Sequence, residues 1–248
     1  MDINSIVSTE KRVRTYFANA KIADTLAARL VWENPHYPAY YLPREDVRAD
    51  ALLPSSHVGQ PDARGVPRFF DVRVGDRVAA HAARQYVDSP VAELRGLVRI
   101  DWNAMDSWFE EEEEVFVHPH DPFKRIDILA ASRHVVVSIG GVVLAETRRP
   151  TLLFETGLPT RFYFSKTDVR MDLLRPIEKR TGCAYKGFAR YWVYEVDGKV
   201  IEQDVAWSYP HPLAESAKIA GMIGFYNETL DIDVDGVRLA KPVTEFSR

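Results

Sequence analysis

The fold is decided by the stretch Leu153-Phe154-Glu155-Thr156-Gly157-Leu158-Pro159-Thr160-Arg161-Phe162-Tyr163-Phe164, together with the chain from there to Trp207-Ser208-Tyr209-Pro210. Short runs of β-branched and aromatic residues alternate here with Gly, Pro and Asp. Such runs are typical of β-strands joined by tight turns. The stretch therefore predicts a sheet rather than a helical bundle.

The same pattern occurs earlier in the chain, 122 positions upstream, where Glu33 takes the place of Glu155. In that register Tyr40-Tyr41-Leu42 aligns with Phe162-Tyr163-Phe164, and the alignment continues without a gap to Pro90–Glu93 over Pro212–Glu215. Internal repetition over such a length indicates a duplicated structural unit. The sequence predicts two homologous domains, a degenerate copy over residues 1–128 and an intact copy over residues 129–248.

Each copy is predicted to be mainly β with short helices. Val135–Ile139, Gly140-Gly141 and Val142–Leu144 form a β-hairpin pattern with a glycine turn. The equivalent residues around Asn19 alone resemble a helix over residues 10–30, but the repeat favours strands. Asp197-Gly198 predicts a second hairpin turn. Asp168 is predicted to cap a helical turn, and residues 213–221 are predicted to form a short helix that ends at Gly221.

Composition excludes several classes of protein. Hydrophobic residues make up 46% of the 248 residues and charged residues 27%, as in soluble globular proteins. No apolar run approaches the ~20 residues of a membrane span, and the first residues do not resemble a signal peptide. A net charge of −4 offers no basic field for nucleic acid. With the single cysteine Cys183 the chain has no internal disulfide, and a cytoplasmic protein is expected.

The second copy resembles a bacterial family of domains of unknown function, number 427 in its series, which also carries the name nucleotidyltransferase family 9. The resemblance covers residues 133–236. It rests on the following motifs: Glu155-Thr156-Gly157-Leu158-Pro159-x-Arg161-x-Tyr163, Asp168-Val169-Arg170, Thr181-x-Cys183-x-Tyr185-Lys186-Gly187, Tyr191-Trp192, Ala206-Trp207-Ser208-Tyr209-Pro210 and Ile219-Ala220-Gly221.

This resemblance implies a curved β-sheet fold similar to the β-tent or Mss4-like group, and no established activity. The chain departs from the family at Ala184, where a proline is usual, and in the first copy at Pro61, Ala63, Arg64 and Arg84, the last of which replaces the second tryptophan. Nucleotide transfer needs a phosphate-binding Gly-Ser helix start and carboxylates for two Mg²⁺ ions. The sequence has no Gly-Ser pair, and Asp231–Asp235 is interpreted as an edge strand that runs into an Asp-Gly turn.

Three residues are candidates for catalysis. Lys186 could lower the pKa of the Cys183 thiol and make it a nucleophile, with Glu155 as a base. The alternative for Cys183 is a buried small side chain in a turn, with Lys186 solvated or paired to a carboxylate. The alternative for Glu155 is an ion pair with Arg161 or Arg170. Asp168-Val169-Arg170, present in both copies, is interpreted as a cap with an internal ion pair.

The second copy is also dense in aromatic residues. If several face one concavity, they would bind a planar or cationic ligand; otherwise they fill a β core. Alternation along the strand sends only one of Tyr191 and Trp192 to that side. The predicted ligand-binding residues are Tyr163, Tyr185, Trp192, Trp207, Tyr209 and His211.

No metal or cofactor site is predicted. His118-Pro119-His120-Asp121 has the composition of a metal site, but it lies after the acidic run Glu110–Glu114 and is interpreted, like that run, as a solvated segment. The preferred function is an unidentified small-molecule-binding domain. The alternatives are an enzyme with Cys183 as nucleophile and a protein-interaction scaffold. Duplication favours a monomer with pseudo-two-fold symmetry.

Overall fold

The computed structural model describes residues 5–244 and 246–247, and most of the described chain lies in antiparallel strands. Contacts divide the chain into two units, residues 1–121 and 122–248. In the described part, each unit contains one seven-stranded and one four-stranded sheet. The predicted mainly β architecture in two similar halves is confirmed.

The first unit has its larger sheet in the order β1-β4-β5-β9-β8-β7-β6 and its smaller sheet in the order β11-β10-β2-β3. Its strands are Ile6–Ser8 (β1), Val13–Phe17 (β2), Ala20–Thr25 (β3), Arg29–Val31 (β4), Ala39–Pro43 (β5), Leu52–Val58 (β6), Arg68–Val74 (β7), Arg77–Gln85 (β8), Leu97–Ile100 (β9), Ser107–Glu110 (β10) and Glu113–Val115 (β11). Its short 3-10 helices are Arg44–Asp46, Ala49–Ala51, Ala92–Leu94 and Trp102–Ala104.

The second unit repeats this topology strand for strand, in the orders β12-β15-β16-β20-β19-β18-β17 and β14-β13-β21-β22. Its strands are Ile126–Ala130 (β12), Val135–Ile139 (β13), Val142–Thr147 (β14), Thr151–Glu155 (β15), Arg161–Phe164 (β16), Leu174–Cys183 (β17), Gly187–Val196 (β18), Lys199–Ser208 (β19), Ile223–Phe225 (β20), Asp231–Val234 (β21) and Val237–Arg238 (β22). Its 3-10 helices are Lys166–Asp168, Met171–Leu173 and Ala214–Ile219.

Turn residues fold as the sequence predicts. Gly140 and Gly141 have φ of 54° and 83°, and they connect β13 to β14. Asn19 takes φ of 62° at the equivalent turn between β2 and β3, so residues 10–30 form strands. Asp235 and Gly236 also have positive φ and form the predicted Asp-Gly turn. The strand before it is not an edge strand, because β21 lies between β13 and β22.

The ungapped register of the repeat is wrong at the end of β8 and in β9, although the 3-10 helices that begin at Ala92 and Ala214 keep the spacing of 122. Ala83 and Arg84 pair with Ile100 and Arg99, whereas Ala206 and Trp207 pair with Phe225 and Gly224. Arg84 therefore occupies the sheet position of Trp207, as predicted, and Arg99 occupies that of Gly224. The second copy accommodates extra residues through an additional bulge between β18 and β19 and a longer loop before β20.

The repeated Asp-Val-Arg motif does not form the predicted cap or internal ion pair. Asp168 ends a 3-10 helix, makes no capping hydrogen bond, and accepts one from Thr147 Oγ1 at 2.6 Å. Arg170 instead pairs with Asp172 at 2.6 Å. The first copy has the same two interactions, Thr25 with Asp46 and Arg48 with Asp50. The motif thus joins the smaller sheet to the 3-10 helices in both copies.

The main core of each unit lies between its two sheets. In the second unit this core contains Phe162, Phe164, Trp192, Ile223 and Phe225, all buried. The predicted helix over residues 213–221 is the 3-10 helix 214–219, and Gly221 ends it with φ of 66°. No helix in the part of the chain that the structure describes has the length and apolarity to cross a bilayer.

Candidate functional site

A second apolar cluster covers the other side of the larger sheet in the second unit. Side chains alternate along a strand, so Tyr163 points away from the core that holds its neighbours Phe162 and Phe164. We call this side the aromatic face and define it by Tyr163, Tyr191, Trp207 and Tyr209, which belong to one buried cluster. Three of the predicted ligand-binding residues, Tyr163, Trp207 and Tyr209, therefore lie together.

Tyr163 and Trp207 are held together across the central strand β20. Gly224 pairs with both residues and leaves space for the indole, because a Cβ at this position would lie 2.9 Å from Cε2 and Cζ2 of Trp207. Trp207 Nε1 donates a hydrogen bond to Tyr163 Oη at 3.0 Å, and the two rings are perpendicular. Burial raises the pKa of Tyr163 far above its usual value, with further contributions from Glu155 and Cys183. Tyr163 is therefore a neutral phenol.

An ion pair lies next to these rings. Glu155 ends β15, and Lys186 lies in the turn between β17 and β18; Lys186 Nζ donates to Glu155 Oε2 at 2.5 Å. The side chains are only 8% and 10% exposed. The expected alternatives for Glu155 are wrong, since neither Arg161 nor Arg170 is its partner.

The turn that carries Lys186 depends on Gly187. This residue has φ of 88°, a conformation that favours glycine, and a Cβ on it would lie 3.3 Å from the carbonyl oxygen of His211. Ser216 Oγ donates to the carbonyl of the buried Tyr185 at 3.1 Å, which fixes the other side of the turn. The backbones of Tyr185 and His211, both predicted ligand-binding residues, thus lie against the turn that carries Lys186.

The Cys183 thiol and the Tyr209 hydroxyl complete the group. Cys183 ends β17, is half-buried, and packs against the aromatic cluster. Burial raises the pKa of Tyr209 well above its usual value, and Tyr163, Cys183, Tyr191 and Glu155 contribute further. Tyr209 itself is buried, with 6% of its surface exposed. Cys183, Glu155 and Lys186, the predicted catalytic residues, therefore lie beside the aromatic face.

One predicted residue lies elsewhere. Trp192 points into the main core, on the side of the sheet opposite Trp207. Its neighbour Tyr191 takes the place on the aromatic face and makes a hydrogen bond with Thr181 Oγ1 at 2.7 Å. Alternation required this division between the two residues but did not show which one would face the site.

Sequence reasoning missed a second charged pair on the same face. Arg161 donates two hydrogen bonds to Glu228, each at 2.7 Å, and the two side chains are 6% and 0% exposed. The Arg161 guanidinium lies 5.6 Å from the Trp207 ring and 6.0 Å from the Tyr226 ring. The sequence signal was the spacing Arg161-x-Tyr163, which puts a charge on the same side of a strand as a buried ring. Glu228 carried no comparable signal.

The segment between the two copies is packed rather than solvated. The ring of His118 stacks on Tyr37 with ring centres 4.5 Å apart, and Asp121, 6% exposed, accepts a hydrogen bond from Trp32 Nε1 at 3.3 Å. In the acidic run, Glu110 is buried as well. The prediction of a solvated segment is wrong at these positions. Among the described residues, no group of three or more His, Cys, Asp or Glu side chains has the arrangement of a metal site.

Comparison with known proteins agrees with the duplicated topology. The family model described as "Domain of unknown function (DUF427)" matches residues 5–111 and again residues 127–236. No curated protein matches the chain. The two matches together cover most of the sequence and coincide with the two sets of sheets. The chain therefore belongs to the DUF427 family and carries two tandem copies of its domain.

Proposed function

We propose that the C-terminal copy binds a small planar molecule on its aromatic face, beside the Glu155–Lys186 ion pair. The observation that carries this proposal is the cluster of four buried rings, Tyr163, Tyr191, Trp207 and Tyr209, on the side of the sheet away from the main core. Aromatic side chains that meet a few convergent polar groups are characteristic of ligand sites. We expect the Tyr209 hydroxyl to donate a hydrogen bond to the ligand.

The ion pair supports the same location. Moving Glu155 and Lys186 out of water costs more than their attraction usually returns, and apolar side chains would fill an aromatic surface at less cost. The pair offers a ligand both an acceptor and a cation within reach of the rings. We expect Lys186 to bind an anionic group of the ligand, with Glu155 released from part of its contact.

The rings indicate the kind of ligand, and a cavity lies near them. This cavity of ≈ 240 Å³ is lined by Lys179, Asp204, Thr229, Phe246 and Tyr226, and the ring centre of Tyr226 is 4.6 Å from that of Trp207. A cavity of ≈ 430 Å³ elsewhere in this copy is lined by residues 146–149 and Asp168. Aromatic side chains favour flat ligands, because an aromatic ring stacks best on another planar group in an offset parallel arrangement. A heteroaromatic metabolite with one anionic substituent fits these features.

A thermal-shift screen of a metabolite library tests the proposal. The variants are Tyr209→Phe, which removes only the hydroxyl, and Tyr86→Phe, a matched control in the first copy. A ligand at one hundred times its Kd stabilises the native state by ~2.7 kcal/mol, which corresponds to several degrees in Tm. We expect this shift in the wild type and in Tyr86→Phe, and a much smaller one in Tyr209→Phe. A ligand that stabilises all three proteins equally would refute the site.

A second function, thiol chemistry, is favoured by the position of Cys183 next to a cation and a carboxylate. In this alternative the partly exposed thiol adds to a carbonyl carbon of the substrate, whose C=O double bond becomes a single bond. Glu155 takes the thiol proton, and Lys186 donates a proton to the carbonyl oxygen. Iodoacetamide labelling at pH 7 tests it. Alkylation of Cys183 much faster than that of the unfolded chain would favour an enzyme, and alkylation at or below the unfolded rate would exclude an activated thiol.

We also propose the cytoplasm as the compartment, because a single cysteine suits a reducing environment. Fractionation of cells that express the full-length chain tests this directly. Recovery with the secreted or membrane fraction would contradict it.

A further inference from the structure

The first copy carries charged residues where the second has its tryptophan. Tyr41 pairs with Arg99 across β5 and β9, and Arg84 pairs with Arg99 across β8 and β9. In the second copy the equivalent positions are Tyr163, Gly224 and Trp207. Two guanidinium groups thus take the positions of one indole and the neighbouring glycine. The surface of the first copy is therefore charged at positions where that of the second copy is aromatic.

These guanidinium groups share one carboxylate. Glu33 Oε1 accepts hydrogen bonds from Arg84 Nη2 at 2.6 Å and from Tyr41 Oη at 2.7 Å, and Glu33 Oε2 lies 3.3 Å from Arg99 Nη2. Burial works to raise the pKa of Glu33, but Arg99 and Arg84 outweigh it and hold the pKa below its usual value. Glu33 is therefore ionised, and one negative charge lies between two positive charges.

The two arginines have unused hydrogen-bond donors. A guanidinium has five N–H groups, yet the Nε atoms of both Arg84 and Arg99 are buried without a partner among the described residues. Burial lowers the pKa of Arg99, and the neighbouring Arg84 lowers it further. A second anion beside the two groups would relieve the repulsion between them.

The exposed carboxylate of Asp101 lies beside Arg84 and Arg99. Asp101 lies directly after β9, contacts Arg99 Nη1, and lies 3.7 Å from Arg84 Nη1. Its side chain is 41% exposed, whereas those of the two arginines are below one fifth. Asp101 is thus a carboxylate that solvent reaches and that lies beside both guanidinium groups.

We propose that the first copy binds a small carboxylate anion between Arg84 and Arg99, in the place of the Asp101 side chain. Planar guanidinium groups bind carboxylates through two parallel hydrogen bonds. Glu33 contacts both arginines and orients them, and Tyr41 donates a hydrogen bond to Glu33. This anion site lies in a different copy from the aromatic face, and binding at one does not depend on binding at the other.

Titration of the full-length protein with acetate, followed through the arginine Nε–H signals by NMR at constant ionic strength, tests the proposal. We expect the signals of Arg84 and Arg99 to shift and saturate. Arg48, whose Nε already donates to Asp50, is the internal control and should not move. A parallel titration with inorganic phosphate distinguishes the two kinds of oxyanion. Tighter binding of phosphate than of acetate would overturn the carboxylate assignment.

Two variants make the test sharper. Asp101→Asn removes the competing carboxylate at an exposed position, and we expect acetate to bind about tenfold more tightly, the factor for one charge-assisted hydrogen bond. Arg84→Gln, with folding checked by circular dichroism, should weaken binding by at least the same factor. Unchanged affinity in Asp101→Asn, or wild-type signals that move no more than that of Arg48, would overturn the proposal.

Discussion

Gly224 is the position at which the packing of the aromatic face can be tested most directly. A Cβ added here would lie 2.9 Å from two atoms of the Trp207 ring and 3.2 Å from Cε1 of Tyr163. Neither ring can move aside easily, because both are buried and a hydrogen bond joins them. Overpacking of this kind costs ~1–3 kcal/mol, and the lower entropy of the unfolded alanine chain returns ~0.4–1 kcal/mol. We therefore expect Gly224→Ala to lower the free energy of unfolding by ~1–2 kcal/mol.

Urea denaturation followed by far-ultraviolet circular dichroism measures this loss. With an m-value of ~2 kcal/mol/M, the midpoint of the transition of the second copy should fall by ~0.5–1 M. The same change in a Trp207→Phe background is the control, since phenylalanine lacks the ring atoms that the new Cβ meets. The thermodynamic cycle should give a coupling energy of ~1 kcal/mol.

A wild-type urea midpoint for Gly224→Ala would refute the expected steric clash. An equal loss of stability in the wild-type and Trp207→Phe backgrounds would show that the indole ring is not the group that the new Cβ meets.

Three further predictions concern charge and assembly. Burial works to raise the pKa of Glu110, but hydrogen bonds from His120, Lys11 and Tyr40 outweigh it and hold the pKa at about 2, against 4.5 in the unfolded chain. The ionised carboxylate therefore stabilises the folded protein by up to ~3 kcal/mol. This stabilisation is present above pH 4.5 and is lost as the pH falls towards 2. Glu110→Gln should flatten the acid limb of a stability–pH curve, and an unchanged limb would contradict the shift. Arg161→Met alone should cost ~3–5 kcal/mol in urea denaturation, because Glu228 is left buried and unpaired, whereas adding Glu228→Leu should recover much of the loss. Size-exclusion chromatography at micromolar concentration should give a monomer, and a dimer peak would count against the expected pseudo-two-fold monomer.

The strands and turns were predictable because their causes are local. The turn at Gly140-Gly141 needs positive φ at both positions, and alternation along Arg161–Phe164 separates two sides of a sheet whatever lies beside it. The duplication added information that neither copy held alone, since it showed that residues 10–30 form strands. The same comparison failed where the second copy accommodates extra residues, because a bulge leaves no reliable mark in the sequence.

The ion pairs were not predictable in the same way. The ion pair considered as an alternative for Glu155 was with Arg161 or Arg170, yet its partner Lys186 is 31 positions away. Arg161 and Glu228 are 67 positions apart. Charged side chains carry no signal of their partner, so these pairs depend entirely on the path of the chain through the sheet.

By itself, the sequence determined the mainly β class, the two copies, the hairpin turns and the presence of Tyr163, Trp207, Tyr209, Cys183 and Lys186 in one copy. Only the tertiary structure decided that these side chains lie together, that Tyr191 rather than Trp192 joins them, and that Arg84 and Arg99 share Glu33. The physical reason is the range of the interactions. Backbone conformation is set by neighbours in the chain, whereas the order β16-β20-β19 and its equivalent β5-β9-β8 bring distant residues into contact and so select which charges and rings meet.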